Sequence, residues 1–216
     1  RSDVGCVRPH NEDSYLVQSP LFCVCDGMGG HAAGEVASSI AVETIAKTAP
    51  QAADAARLAA AVEAANAAVI EAALNGLGKP GMGCTATCAY IENDMLAIAH
   101  VGDSRAYLLH EGTLIRVTRD HSYVEELVDA GEITADEARV HPNRSVITRA
   151  LGSDPAMYAD HFTLHIEEGD RLILCSDGLS SMIPDSDIEN IATQSSTAQI
   201  CVDNLVDAAL AAGGHD

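Results

Sequence analysis

The sequence predicts an α+β fold in which two antiparallel β-sheets pack face to face between outer layers of helices. Short apolar segments bounded by turn residues indicate strands, and apolar residues at helical spacing occur in separate blocks. The regular strand–helix alternation of a parallel sheet does not occur. Because the strand candidates are apolar on both faces, we expect a four-layer αββα sandwich that forms a single domain over residues 1–216.

Composition limits the class of protein. Hydrophobic residues make up 47% of the chain, but there are only five Tyr, two Phe and no Trp, so Ala, Val, Ile and Leu must build the core. A net charge of −20 argues against nucleic-acid binding, which requires a basic surface. No apolar run reaches the ~18 residues of a membrane span, and no signal-peptide pattern is present, so we expect a cytoplasmic protein.

The seven cysteines lie mostly inside apolar segments, and no C-x-x-C pair occurs among them. This spacing argues against zinc binding and against a thioredoxin-type redox centre. We expect free thiols that serve as small core side chains in a reducing compartment.

The first part of the chain predicts a hairpin followed by two helices. Residues 16–25 form two strand candidates around the turn Ser19-Pro20. Residues 34–49 and 53–74 carry apolar side chains at helical spacing, and a proline and an Asn-Gly pair follow them as stop signals. The alanine-rich composition of the second segment favours a helix.

The central segment changes to strand spacing. Strands are predicted at 84–91, 95–101, 106–110 and 113–118, separated by short turns. Consecutive short strands with tight turns predict an antiparallel meander, which would place Asp103 in a hairpin turn.

The last part of the chain mixes short elements. We predict helices at 122–130, 134–139, 185–193 and 197–212, and strands at 162–166 and 171–175.

Four aspartates follow the ends of predicted core elements or their glycines. Asp26 and Asp177 each follow an apolar strand and precede a glycine, Asp103 lies in the turn after residue 101, and Asp216 follows Gly213-Gly214-His215. A turn residue is the simpler interpretation of each one alone. Four together favour an all-oxygen site, which suits a hard cation such as Mg²⁺ or Mn²⁺.

Five short motifs extend this pattern over nearly the whole chain. They are Arg8 with Asn11-Glu12-Asp13, Asp26-Gly27-Met28-Gly29-Gly30-His31 with Gly34-Glu35, Gly83 with Thr85-Ala86, Gly102-Asp103-Ser104-Arg105, and Ser176-Asp177-Gly178-Leu179. In this order they resemble the metal-dependent PP2C-type (PPM) serine/threonine protein phosphatases. The Met-Gly-Gly-His form resembles the bacterial branch of that family.

The resemblance implies two core Mn²⁺ or Mg²⁺ ions and a third, weaker one. The implied metal ligands are Asp26, Gly27, Asp103, Ser145, Asp177 and Asp216. Asp26 would bridge the core pair, and Gly27 would contribute its backbone carbonyl. Asp177 and Asp216 would complete the shell of one core ion, whereas Asp103, with Asp177 and Ser145, would hold the third.

Three further residues near the start of the chain have implied roles. Arg8 would bind the phosphate, and Glu12 and Asp13 would act on the metal-bound waters or on the ordering of Arg8. The planar guanidinium suits the recognition of phosphate.

The resemblance also implies that residues 121–151 correspond to a flap beside the active site that is expected to move and to contact protein substrates.

The pattern leaves two candidates for the proton donor to the leaving group. Many eukaryotic relatives have a histidine after the Asp-Gly pair, whereas this chain has Met28, which cannot titrate. His31 or a water on the metal could serve, and we favour the water.

The resemblance implies an enzyme that hydrolyses phosphoserine and phosphothreonine on proteins by a metal-activated water, opposing bacterial Ser/Thr kinases, with Arg8, Asp26 and Asp177 as catalytic residues. Two alternatives stay open: a phosphatase for an anti-sigma-factor antagonist, and a silent pseudophosphatase that only binds its partner. The presence of Arg8 and of every implied ligand disfavours the pseudophosphatase. We expect phosphorylated proteins, and also Ser/Thr kinases, as partners of a monomer that binds no nucleic acid.

The two ends depart from the family pattern. The opening strand of the family is missing, as are the Asn and the final strand that follow the last aspartate. We therefore expect a domain trimmed at both ends, and a membrane anchor farther along a longer chain is compatible with the sequence.

Overall fold

The computed structural model describes residues 1–29 and 33–215. The strands are β1 (Ser14–Gln18), β2 (Leu21–Cys25), β3 (Gly27–Met28), β4 (Gly83–Cys84), β5 (Ala86–Glu92), β6 (Met95–Val101), β7 (Arg105–His110), β8 (Thr113–Arg116), β9 (Asp160–His165) and β10 (Arg171–Cys175). The helices are α1 (Ala33–Thr48), α2 (Ala55–Leu74), α3 (Tyr123–Asp129), α4 (Ala135–Arg139), α5 (Asp177–Ser180), α6 (Asp185–Gln194) and α7 (Ala198–Ala211). None of the described helices is long and apolar enough to cross a membrane.

Two antiparallel sheets form the centre of the fold. The larger has the strand order β1-β2-β5-β6-β9, and the smaller has the order β10-β7-β8. The short strands β3 and β4 pair with each other beside the larger sheet. The predicted strand 84–91 is therefore interrupted at Thr85, whose backbone N–H donates to the carbonyl oxygen of Asp26.

Buried side chains fill the three interfaces between four layers. Cys23, Ala97 and Val62 belong to the cluster between the larger sheet and helices α1 and α2. Ile98 packs with Leu172 between the two sheets, and a third cluster, which includes Ile188, joins the smaller sheet to α6 and α7. Alternate residues of β6 and β7 enter different clusters because strand side chains alternate between faces. The predicted αββα sandwich is thus confirmed.

The predicted meander was wrong at one connection. Strand β6 pairs with β5 and β9, whereas the next strand, β7, pairs with β8 and β10 in the other sheet. The turn Gly102–Ser104 therefore crosses between the sheets and is not a hairpin turn. Gly102 adopts φ +106° beside the side chain of Thr85, a conformation that favours glycine. The crossing places Asp103 between the sheets.

Three smaller predictions also need correction or confirmation. The short helix α5, which begins at Asp177, was not predicted, since the sequence indicated only a carboxylate after the strand 171–175. Cys6 is exposed, so it is not a core side chain, whereas the other six cysteines are buried as expected. All seven are free thiols.

Candidate active site

The strand registers bring the predicted site segments to one end of the sandwich. Ser14 pairs with Cys25, Ala86 with Val101, and Cys175 with Arg105. The residues that follow or precede these pairs therefore converge at the same end. This end, which we call the acidic pole, is formed by Asp13, Asp26, Thr85, Asp103 and Asp177.

A pair of hydroxyl groups links the turns that carry Asp26 and Asp103. The backbone N–H of Asp26 donates to Thr85 Oγ1 at 2.9 Å, and Thr85 N–H donates back to the carbonyl oxygen of Asp26 at 2.8 Å. Thr85 Oγ1 also hydrogen-bonds Ser104 Oγ at 2.7 Å. Since both hydroxyls are buried, this contact fixes the backbone of one aspartate relative to the other.

A third hydroxyl joins the first motif to the last. Ser176 Oγ donates to Asp13 Oδ2 at 3.0 Å, and Ser176 is the N-cap residue of α5 without a side-chain cap bond. Its hydroxyl therefore binds and orients Asp13 and does not cap the helix. Asp177, which begins that helix, is half-buried beside it.

Close backbone packing surrounds Gly27. It pairs with Cys84, and its carbonyl lies against Gly34 of α1, where a Cβ would come within 2.8 Å of the Gly27 oxygen. Ser38 Oγ of the same helix donates to the backbone oxygen of Glu12 at 2.6 Å. Two glycines and a serine therefore hold the first two motifs against the start of α1.

Asp103 is a buried carboxylate of the pole whose pKa is raised. Its residue is 8% exposed, and its Oδ1 is buried with no hydrogen-bond partner among the described residues. Burial, and then the charges of Asp177 and Asp120, raise the pKa of Asp103 to about 7. A buried carboxylate oxygen without a donor, beside further carboxylates, fits the oxygen-ligand chemistry of a divalent cation.

The sequence interpretation gave Arg105 and Asp120 no role at the pole. Arg105 forms a forked ion pair with Asp120, with Nε–Oδ1 at 2.9 Å and Nη2–Oδ2 at 2.7 Å, and also donates to Tyr107 Oη at 3.0 Å. Burial opposes its charge, but the bonds to Asp120 raise the pKa of Arg105. The Gly-Asp-Ser-Arg motif contained Arg105, but nothing in the sequence indicated that Asp120 is its partner.

The structure does not unite every predicted residue. Ser145 is exposed in a flap turn, and Arg8 is exposed in the N-terminal segment, which is held to the end of α7 by a bond from Cys6 N–H to Gly214 O at 2.7 Å. Asp216 and His31 lie outside the described residues. In residues 1–29 and 33–215, no three His, Cys, Asp or Glu side chains form a group that could hold a metal ion. The ligand assignments remain predictions.

Both ends of the flap are attached to the pole. At its start, His121 N–H donates to Gly102 O at 2.8 Å; at its end, Leu151 bridges to Cys84, the partner of Gly27. Between these points the flap contains α3 and α4, and α4 begins with a capping box of Thr134 and Glu137. The flap is thus anchored beside the turns that carry Asp103 and Asp26.

Comparison with known proteins agrees with this arrangement. Residues 2–216 match the family model for protein phosphatase 2C. The chain belongs to the protein phosphatase 2C family. The sequence resemblance to that family is thereby confirmed.

Two bacterial phosphatases of this family are similar to the whole chain. The whole chain is 41% identical to the serine/threonine protein phosphatase PstP of Mycobacterium tuberculosis, of which it spans 42%. It is 36% identical to the serine/threonine phosphatase Stp of Listeria welshimeri, and there it spans 90% of the relative. The chain therefore spans less than half of the first relative and most of the second.

Solved structures of the protein phosphatase 2C family share the fold. The crystal structure of M. tuberculosis PstP superposes with a TM-score of 0.94 at 40% identity, covering 100% of this chain and 92% of that one. The PstP catalytic domain in complex with two manganese ions has a TM-score of 0.91 at 38% identity, with the same coverage of both chains. These values confirm the predicted α+β sandwich.

Proposed function

We propose that this chain hydrolyses phosphoserine and phosphothreonine on proteins in a reaction that depends on Mn²⁺ or Mg²⁺. The observation that carries the proposal is the acidic pole, where aspartates that are distant in sequence follow the ends of β2, β6 and β10. Membership of the protein phosphatase 2C family and the manganese-bound PstP structure support it.

The residues of the pole suit the cofactor. Asp26, Asp177 and Asp216, with the carbonyl of Gly27, would hold the core cations, and Asp103, with Asp177 and Ser145, would hold the weaker one. When bound, the cations activate a water and neutralise the phosphoryl oxygens. Carboxylates offer the hard oxygen ligands that these ions require.

Electrostatics explains why this site needs a cation. The pole consists of carboxylates, and the whole chain carries a net charge of −20. Two negative charges in a partly buried site repel each other by several kcal/mol. Without a cation, the carboxylates of the pole therefore repel one another and also repel a phosphate dianion.

Other residues of the chain would bind the phosphate group and orient the surrounding waters. Arg8 lies in the N-terminal segment that the bond from Cys6 attaches to the end of α7, and its planar donor fork suits a phosphate group. Asp13, oriented by Ser176, and Glu12, whose backbone is held by Ser38, act on the surrounding waters. Met28 cannot donate a proton, so His31 or a water would protonate the leaving group, and we favour the water.

The biological setting belongs to the same proposal. A phosphatase of this class opposes Ser/Thr kinases in a bacterial cytoplasm, and we expect it to act as a monomer on phosphorylated proteins. A chain that covers 42% of PstP can be the catalytic part of a longer protein.

Phosphate release from p-nitrophenyl phosphate and from a phosphothreonine peptide tests the function. We expect turnover with Mn²⁺, none after removal of metal by a chelator, and a loss of at least a hundredfold in Asp177→Asn. Asp187→Asn, an exposed acid on α6, is the matched control and should keep full activity. Turnover that survives complete metal removal, or an unchanged Asp177→Asn variant, would overturn the proposal.

A further inference from the structure

His121 connects the turn of Asp103 to strand β9 and to the end of the flap, which are far apart in sequence. Its residue is 2% exposed, and its ring stacks on His100 with ring centroids 4.9 Å apart. Both its backbone and its ring contact the turn before Asp103, while the far side of the ring contacts Asp160 of β9. None of the roles assigned to the pole so far uses this side chain.

The contact with Gly102 is reciprocal. His121 N–H donates to the Gly102 carbonyl at 2.8 Å, and Gly102 N–H donates to His121 Nδ1 at 3.0 Å. Nδ1 must therefore be the unprotonated nitrogen, and Nε2 carries the proton. Burial lowers the pKa of His121, which agrees with a neutral ring. Gly102 is thus held on both its N–H and its C=O immediately before Asp103.

The outer side of the ring is locked by an ion pair. Nε2 of His121 donates to Asp160 Oδ2 at 3.0 Å, and Asp160 Oδ1 accepts from Arg149 Nη1 at 2.6 Å. Arg149 lies 4.1 Å above the ring of Tyr158 and donates to its hydroxyl. The ion pair fixes which nitrogen of His121 is protonated and the angle of its ring, as a carboxylate does for many ligating histidines.

The flap is attached at the same residue. Thr148 N–H, near the end of the flap, donates to the His121 carbonyl at 2.9 Å, and Arg149 follows it in sequence. The adjacent residue, Asp120, holds the other flank of the Asp103 turn through Arg105. Two consecutive residues therefore clamp the turn on both sides of Asp103, and one of them also holds the flap.

We propose that His121 is a positioning residue that holds the Asp103 turn in the conformation that binds the weaker cation, and that Asp160 and Arg149 tie this conformation to the flap. The inference rests on the proposed function, because it concerns the affinity of the same pole for metal. Asp103 is the only aspartate in this turn, and its unpartnered oxygen depends on the backbone of Gly102 for its direction. A released turn would leave the core pair of ions in place.

Calorimetric titration of the whole chain with Mn²⁺ tests the proposal without reference to activity. In His121→Phe, we expect the weaker site to lose at least tenfold in affinity while the tighter sites change by less than twofold, since outer-shell partners typically contribute 10–100-fold to metal affinity. His121→Asn keeps an acceptor near the position of Nδ1 and should retain the weaker site within about threefold. Asp160→Ala should weaken it by a smaller factor than His121→Phe.

A matched control exists at the opposite end of β7. His110 Nδ1 contacts Asp170 Oδ1 at 2.8 Å, so His110→Phe removes a similar pair far from the pole and should leave the Mn²⁺ titration unchanged. A folded His121→Phe that titrates like the unaltered chain would overturn the inference. So would a folded His121→Asn that loses the weaker site. If His121→Phe does not fold, Asp160→Ala decides the matter together with His121→Asn: an Asp160→Ala protein that binds the weaker cation as tightly as the unaltered chain would also overturn the inference. An unaltered chain that binds no Mn²⁺ would overturn the proposed function itself.

Discussion

His100 shows how burial makes the stability of this chain depend on pH. It is 1% exposed, with Nε2 3.0 Å from the Arg119 carbonyl and Nδ1 3.0 Å from Thr87 Oγ1. Burial, and then the neighbouring His121, lower the pKa of His100 to about 4. In the unfolded chain the pKa is ~6.5, so between these values the unfolded state binds more protons than the folded state. Lowering the pH through this window therefore favours unfolding.

We expect the free energy of unfolding to fall by roughly 3 kcal/mol from this group between pH 6.5 and 4. The measurement is urea unfolding at pH 7.5 and 4.5, compared with His100→Gln, which keeps a donor for Arg119. The variant should lose less stability on acidification than the unaltered chain. His165→Gln, on an exposed histidine, should not change the difference. Equal acid losses in all three proteins would contradict the prediction.

The hydroxyl of Thr85 provides a second prediction at this scale. Thr85→Val removes the acceptor for Asp26 N–H and the partner of Ser104, and an unsatisfied buried group costs about 1–3 kcal/mol. We expect a less stable protein with at least tenfold lower turnover of p-nitrophenyl phosphate, since Asp26 loses one of its two hydrogen bonds to residue 85. Thr85→Ser keeps the hydroxyl and should stay close to the unaltered chain. If serine is as harmful as valine, packing of the methyl group is the cause instead.

Some residues of the candidate site could be identified from the sequence alone, and others could not. Asp26, Asp103 and Asp177 were identifiable because each follows an apolar strand and matches a family motif. Asp160 could not be found this way, since its partner His121 is 39 residues away and no motif includes both. Side chains that act through another residue leave a signal only in three dimensions.

At the scale of elements, α1 and β3 pack backbone against backbone directly after Asp26 of the acidic pole. A Cβ on Gly34 would lie 2.6 Å from the carbonyl carbon of Gly27 and 2.8 Å from Met28 N, both of which are backbone atoms. Backbone cannot move aside as the end of a side chain can. With a Cβ at position 34, α1 must therefore shift, or the strand that carries the Gly27 carbonyl must be displaced.

We expect Gly34→Ala to destabilise the protein by about 2–3 kcal/mol, as overpacking does, and to reduce turnover. Gly81→Ala is the control: no atom lies within 4 Å of its Cβ, and φ is +85°, so only a conformational cost of about 1 kcal/mol applies. Thermal unfolding and phosphatase assays of both variants check this. A Gly34→Ala protein as stable and active as Gly81→Ala would show that α1 yields without disturbing the site.

Helices and strands could be predicted from the sequence where the pattern that indicates them lies within the element and its flanking turns. The bounds of β6 and β10 were predicted from apolar runs between turns, and α2 from alanine content and spacing. The pairing of β7 was not, because a three-residue turn with a glycine can close a hairpin or cross between sheets. Which one forms depends on whether β7 packs better beside β6 or beside β10, a choice made by tertiary contacts.

For the whole molecule, collecting carboxylates at one end of the sandwich opposes folding until a cation binds. Asp103 is buried with an unpartnered oxygen, and the charges of Asp177 and Asp120 act on it. Removing the charge of Asp103 should stabilise the metal-free protein and at the same time remove a metal ligand. Stability without metal and stability with metal should therefore respond in opposite directions to the same substitution.

We expect metal-free Asp103→Asn to unfold at a higher temperature than the unaltered chain, by about 2–4 °C for each kcal/mol of relieved repulsion in a domain of this size. Saturating Mn²⁺ should reverse the order, because a cation at 100 times its Kd stabilises the protein that binds it by about 2.7 kcal/mol for each site. Asp170→Asn is the control with the opposite sign: bonds from Glu167 N–H and His110 hold the pKa of Asp170 below its usual range, so its loss should not stabilise the protein with or without metal. Melting curves with chelator and with Mn²⁺ distinguish these outcomes. If Asp103→Asn melts below the unaltered chain in the absence of metal, its carboxylate is a structural partner within the fold, and the repulsion inferred at the acidic pole is absent.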